Sequence, residues 1–415
     1  MDQIKALKCV LCGKEYSPGE VEYTCPACGP EGILEVLYDY ELISRRISPR
    51  SLKEDPDFSI WRYKPLLPVR EDSPIPPLHV GWTPLYRPRL LNEKLGFSHL
   101  FIKDEGRNPT ASLKDRASAV GIVKALEKGA REVTCASTGN AASSWAGAAA
   151  SVGLKSYIFV PQTAPRAKLA QLLIFGATIF PVKGSYDQAF DLCIQASSRF
   201  GWYNRNTAFN PYLVEGKKTV ALEIAEQLAW KAPDKVFVSV GDGCILSGVF
   251  KGFADLLNLG WIDRFPQIIG VQAEGASPLY RAWKEGKPFE PVEPVTIADS
   301  ISVGIPRNRV MALRDLKTWK GLMMTVTDDE ILEAMRVLGR QSGVFGEPAG
   351  VASLAGLIKA SKEGIVQKEE AVVVIISGNG LKDISSALKA VRMPEPIEPS
   401  LSSVEEYLKK ATSFQ

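Results

Sequence analysis

Histidine is scarce in this chain: His79 and His99 are the only two among 415 residues. That scarcity argues against a histidine-built metal centre and against a Ser-His-Asp relay. Excess charge is missing as well. Lys plus Arg number 50 and Asp plus Glu 47, a formal charge of +3, which favours neither nucleic acid nor a membrane surface as partner. There is no run of about 18 apolar residues, so no membrane-spanning helix is expected. The opening MDQIKALKCV carries no apolar stretch of the export-signal kind. With seven cysteines, that points to a reducing, cytoplasmic setting. Internal repeats and low-complexity tracts are absent too. The composition that remains is 45% hydrophobic, enough to fill the cores of two or three domains.

The cysteines are not scattered. Cys9-Val-Leu-Cys12 is followed, after twelve residues, by Cys25-Pro-Ala-Cys28, and each pair precedes a glycine, Gly13 or Gly29. A lone CxxC would read as a redox pair. Two in register place four thiolates where a tetrahedral zinc fits, and four soft ligands leave no open position, so the site would be structural. The metal is expected to hold this segment without bearing on the rest of the molecule. Residues 48 to 78 hold Pro49, Pro56, Pro65, Pro68, Pro74, Pro76 and Pro77 and read as a loop-like wrapping arm.

From about Leu100 the pattern alternates. Short β-rich runs are expected at Leu100–Lys103, Glu132–Cys135, Ser156–Val160, Thr178–Val182, Lys235–Val240, Gln267–Gln272 and Ala371–Ile376. Helical patterns lie between them at Ser112–Lys128, Ala141–Val152, Asp187–Phe200, Gly216–Trp230 and Asp328–Gln341, with a closing helix near Val404–Lys410. Such alternation implies parallel sheets covered on both faces.

Four segments carry the chemistry. Asn108-Pro109-Thr110-Ala111-Ser112-Leu113-Lys114-Asp115-Arg116 follows a strand and opens a helix. Thr110 or Ser112 can cap it, and Lys114 falls in the first turn, where the helix dipole and burial disfavour the ammonium and favour a nucleophilic amine. Ser137-Thr138-Gly139-Asn140-Ala141-Ala142 puts hydroxyls and an amide at a strand-helix junction. Gly241-Asp242-Gly243-Cys244-Ile245-Leu246-Ser247-Gly248 follows a buried strand, and its amides can converge on a phosphate. It lacks the Gly-Lys-Ser/Thr of a P-loop, and its third glycine falls one position late for a dinucleotide fingerprint. Ser377-Gly378-Asn379-Gly380-Leu381-Lys382-Asp383 again follows an apolar strand. Taken singly, each of the last three is also an ordinary turn.

Together and in this order, the four segments resemble the fold-type II pyridoxal phosphate enzymes, the tryptophan synthase β-like class, and most closely the threonine synthase family. Asn210-Pro211-Tyr212, Glu215-Gly216-Lys217-Lys218-Thr219 and Glu347-Pro348-Ala349 look similar to that family too, and the double CxxC resembles the zinc ribbon of some members. The resemblance implies that Lys114 binds the cofactor covalently and moves protons in the reaction. It implies Asn140 at the cofactor's phenolic oxygen, Gly241, Asp242, Gly243, Cys244, Ile245 and Leu246 around its phosphate, and Ser377 at the ring nitrogen. Departures occur where relatives hold a substrate phosphate: Ala141 and Leu213 stand in place of threonine and arginine. Ser112, Ser137, Thr138, Asn206, Thr207 and Lys217 are the candidates to contact substrate instead.

The expected architecture is a zinc ribbon over 1–35, a large α/β domain from 36–111 and 206–400, a small α/β domain over 112–205, and a C-terminal helix or tail over 401–415. The implied reaction converts O-phospho-L-homoserine and water to L-threonine and phosphate. Serine or threonine dehydration, a sulfhydrylase-type replacement, and a non-catalytic pyridoxal phosphate-binding role are the alternatives. A nucleic-acid role led by the ribbon is disfavoured by the near-neutral charge. The expected partner is a small amino-acid substrate, and the expected assembly a homodimer.

Overall fold

The computed structural model describes residues 1–164 and 166–411. Its 13 strands among those residues form three sheets. At the N-terminus, Ile4–Cys9 pairs antiparallel with Glu15–Tyr16 on one side and Leu34–Tyr38 on the other. The largest sheet has the order Leu322–Val326, Gln267–Ala273, Lys235–Ser239, Ala371–Ile376, His99–Asp104, Leu85–Tyr86. All its neighbours are parallel except the last pair. The third sheet runs Thr178–Val182, Lys155–Pro161, Glu132–Ala136, Tyr203–Asn204 and is wholly parallel. The chain leaves the large sheet after Asp104, builds the small one, and returns at Lys235.

The expected strands lie within about one residue of those observed. Six observed strands were not expected, Ile4–Cys9, Glu15–Tyr16, Leu34–Tyr38, Leu85–Tyr86, Tyr203–Asn204 and Leu322–Val326, the last opening on Leu-Met-Met with no β-branched residue. The proline-rich arm is not all loop. Pro49–Glu54 is helical behind a Ser48 capping box, and Ile60–Leu66 is a 3₁₀ segment. Proline at the first helical position starts a helix instead of breaking one, because no amide hydrogen is needed there. The closing helix runs Leu401–Ala411; residues 412–415 lie outside the described set. Among the described residues no helix is long and apolar enough to cross a membrane.

The helix Tyr212–Gln227 packs between Lys114–Glu127 and Cys244–Asn258. A wholly buried charge cluster joins two of them to the large sheet. Arg116 Nε donates to Glu105 Oε2 at 2.7 Å and its Nη1 to Glu223 Oε1 at 2.5 Å, while Lys103 Nζ reaches Glu223 Oε2 at 2.8 Å. Burial alone would raise the Glu223 carboxyl; Arg116 and Lys103 hold it down at about 2. Two positive partners and several hydrogen bonds are what make a buried carboxylate tolerable.

Candidate active site

All four sequence segments come to one cleft between the two parallel sheets, beyond the carboxyl ends of strands, where ligands of open α/β sheets bind. An inner compartment is lined by Lys114, Asn140, Thr207, Lys217, the Gly241–Leu246 loop and Ser377. Arg205 and Ser300, not selected from sequence, also line it, as does Glu347, which the sequence offered only as part of the family-like Glu347-Pro348-Ala349. An outer compartment shares Asn140, Ser300 and Glu347 and adds Thr138, Lys168 and Lys382.

Three candidate substrate contacts are on neither wall. Ser112 is wholly buried and its Oγ has no partner. Ser137 Oγ accepts the Gly139 amide at 3.2 Å, and Asn206 Oδ1 accepts the Ala136 amide at 2.8 Å. The last two shape backbone behind the cleft, a use that short polar side chains share with ligand binding and that sequence cannot separate from it.

Lys114 is the first residue of its helix, but neither Thr110 nor Ser112 caps it. Instead Thr110 donates its amide and hydroxyl to the two Asp115 oxygens at 2.8 and 2.6 Å, so the acid inside the helix organises the turn before it. The Leu113 amide donates to Ser377 O at 2.9 Å, which ties the lysine's turn to the Ser377 turn. Burial, and then the Arg205 charge, lowers the Lys114 pKa; Glu347 and Asp242 pull the other way. An amine so placed is held closer to its nucleophilic form.

The Gly241–Leu246 turn ends on Gly243 at φ +88°, the cap of the helix Cys244–Asn258. A side chain there would be strained, and its Cβ would stand 2.9 Å from that of Ala312. The helix start leaves amides without intrahelical partners, a natural anion cradle. Asp242 does not turn the cradle away from anions on its own: its carboxylate accepts the Arg307 amide at 3.1 Å and its carbonyl the Asn308 amide at 3.1 Å. Burial raises its pKa.

Glu347 is 4% exposed and accepts from Asn140 Nδ2 at 2.6 Å. Gly378 makes this contact possible, since a Cβ there would lie 2.2 Å from Glu347 Oε1. Burial pushes the Glu347 carboxyl up to about 7, and Lys114 offsets only part of that. A group poised near neutrality beside an amine can hold or pass a proton.

Cys9, Cys12, Cys25 and Cys28 bring their Sγ atoms within 4.8 Å of one another. Tetrahedral zinc with bonds of about 2.3 Å requires Sγ separations of about 3.8 Å, and Cys12 and Cys25 are 3.8 Å apart. This sheet does not stand apart from the cleft. Ile33 and Val10 pack with Ala208, Val214, Met311 and Cys244, the first helical residue after the glycine turn. Glu31 is paired with Arg309, and Glu35 with Arg314 at 2.8 Å.

The family model for pyridoxal-phosphate dependent enzymes matches residues 77–378. The chain is 41% identical to the threonine synthase of Methanocaldococcus jannaschii over 97% of its own length and 99% of the relative's. It is 40% identical to that of Methanosarcina acetivorans, covering 96% and 98%. Identity to a Mycobacterium tuberculosis threonine synthase is 38%, over 82% of this chain and 93% of that one. Among solved structures, a threonine deaminase isoform from Solanum lycopersicum superposes with a TM-score of 0.66 at 22% identity, covering 91% of this chain and 98% of that one. A serine racemase from Dictyostelium discoideum gives 0.61 at 26%, covering 72% and 92%.

Proposed function

This chain belongs to the threonine synthase family of pyridoxal-phosphate dependent enzymes, and on that premise we propose that its cleft converts O-phospho-L-homoserine and water to L-threonine and phosphate. The enzyme is a pyridoxal-phosphate-dependent lyase. The observation that carries the site reading is the convergence of a depressed lysine, a glycine-turn helix start and unpartnered buried donors in one compartment. Those residues fit the cofactor: an amine for its aldehyde, amides for its phosphate, and a neutral hydroxyl, Ser377, for its ring nitrogen.

Pyridoxal phosphate, held by Lys114, Asn140, the Gly241–Leu246 turn and Ser377, would supply the electron sink that makes the Cα and Cβ protons removable. The chain's own residues do the rest. Lys114 Nζ takes the proton from Cα and returns protons at later carbons. Asn140, steadied by Glu347, orients the ring through its amide. Ser377 offers no charge, which leaves the ring less electron-hungry than a carboxylate partner would and favours elimination over transamination. Phosphate departs from Cγ as a Cβ proton is lost, Cγ gains a proton, and the hydroxyl of water adds at Cβ while its remaining proton balances the charge of the released phosphate.

The four cysteines hold a structural zinc in this reading, supported by their mutual distances. A cytoplasmic location accords with the biosynthetic reaction. The test is release of phosphate from O-phosphohomoserine with threonine formed in equal amount. Serine, threonine and O-acetylated amino acids serve as competitors. Turnover of one of these without turnover of O-phosphohomoserine overturns the substrate and leaves the cofactor chemistry.

A further inference from the structure

We propose that Arg205 is the residue that binds the phosphate group of the substrate; this rests on the phosphorylated substrate named above. Arg205 follows the strand Tyr203–Asn204, and its amide continues the small sheet by donating to Thr134 O at 2.9 Å. Its side chain lines the inner compartment yet is 1% exposed, and Nε and Nη2 have no hydrogen-bond partner. Guanidinium remains charged at any ordinary pH. Buried donors left unmet are costly, so their persistence in a cleft points to a ligand that supplies the acceptors. A planar fork of donors selects a carboxylate or a phosphate.

Two phosphates compete for this role, the cofactor's and the substrate's. The compartment holds a second buried cation, Lys217, whose Nζ reaches only Leu213 O, at 3.3 Å. Lys217 packs against the helix of the glycine turn, its Cβ 2.8 Å from where a Cβ on Gly248 would stand, and the charges acting on it are those of Cys244, Arg205, Lys114 and Asp242. Lys217 therefore stands with the cradle for the cofactor phosphate, although the sequence pattern had placed it on the substrate side. Arg205 belongs to the opposite wall. It shares the small sheet with Glu132–Ala136, the strand that leads into Ser137–Asn140. Its neighbour Asn206 fixes the Ala136 amide at 2.8 Å. Arg205 and the Ser-Thr-Gly-Asn turn are thus held as one unit facing the Lys114 amine. Ala141 and Leu213, 9% and 1% exposed, offer no donor; Arg205 is the guanidinium of the inner compartment, while Lys168 lines the outer one and is paired with Asp299.

The test compares wild-type holoenzyme with Arg205→Gln and Arg205→Lys. The readouts are KM for O-phosphohomoserine, inhibition by inorganic phosphate, and bound cofactor by absorbance. In Arg205→Gln, KM should rise and phosphate inhibition weaken by roughly 10- to 100-fold each, the scale of one charge-assisted contact, with cofactor content unchanged. Arg205→Lys should recover part of both. Unchanged KM and unchanged phosphate inhibition overturn the proposal. So does loss of cofactor in both variants, which would give Arg205 to the cofactor phosphate. Should wild type not turn over O-phosphohomoserine at all, the substrate reading fails by itself. Direct binding of inorganic phosphate to wild type and not to Arg205→Gln would then still place the anion on Arg205.

Discussion

Asn140 Nδ2 donates to Glu347 Oε1 at 2.6 Å across the cleft, joining the helix Asn140–Ser151 to the start of the helix Pro348–Lys362. The carboxyl that receives this bond is raised from an ordinary 4.5 to about 7 by burial. The sign follows directly. Below pH 4.5 the group is protonated folded and unfolded. As pH rises toward 7 the unfolded chain loses that proton first, so stability falls, by about 3 kcal/mol in all at 1.36 kcal/mol per unit. Cofactor-free wild type should lose about that much more than Glu347→Gln between pH 4.5 and 8, measured by urea midpoints. Parallel pH dependence in the two proteins would contradict the shift.

Lys114 should be the attachment point. Purified protein should be yellow, Lys114→Ala should lose the bound-cofactor absorbance, and borohydride should fix the cofactor to a peptide containing Lys114. Labelling of Lys217, whose pKa burial lowers to about 7, would transfer the role.

The cysteine sheet should carry one zinc per chain, and its loss should reach the cleft. Ile33 and Val10 press on Cys244, Ala208 and Val214, so loosening the sheet frees the residue that follows the phosphate turn. Zinc-stripped protein should therefore release pyridoxal phosphate faster on dialysis than zinc-loaded protein. Equal retention would restore the sequence-based expectation of an independent metal.

Glu223 neutralises Lys103 and Arg116 where nothing is exposed. Glu223→Ala leaves two buried cations short of a counter-charge and should cost about 3–5 kcal/mol, the range for breaking a buried pair. Urea unfolding of the holoenzyme measures it. A loss under 1 kcal/mol would mean that water enters the cluster.

Sequence by itself determined the alternation of strands and helices, because period and turn residues are local, and with it the parallel sheets and the positions of Lys114, Asn140, the Gly241 turn and Ser377. It also determined the four-cysteine cluster, since CxxC spacing is itself a geometry. Only the tertiary structure decided which polar groups face the cleft. Asn206 and Ser112 carry side chains as suited to substrate as Thr207, yet they point into backbone or core. Arg205 looked like an ordinary charged residue, and Glu347 was noted only within the family-like Glu347-Pro348-Ala349, with no role. Their role depends on burial and on partners 207 positions away in the case of Asn140 and Glu347. Charge in a cleft is set by what surrounds it, and those neighbours come from segments that the chain order keeps apart.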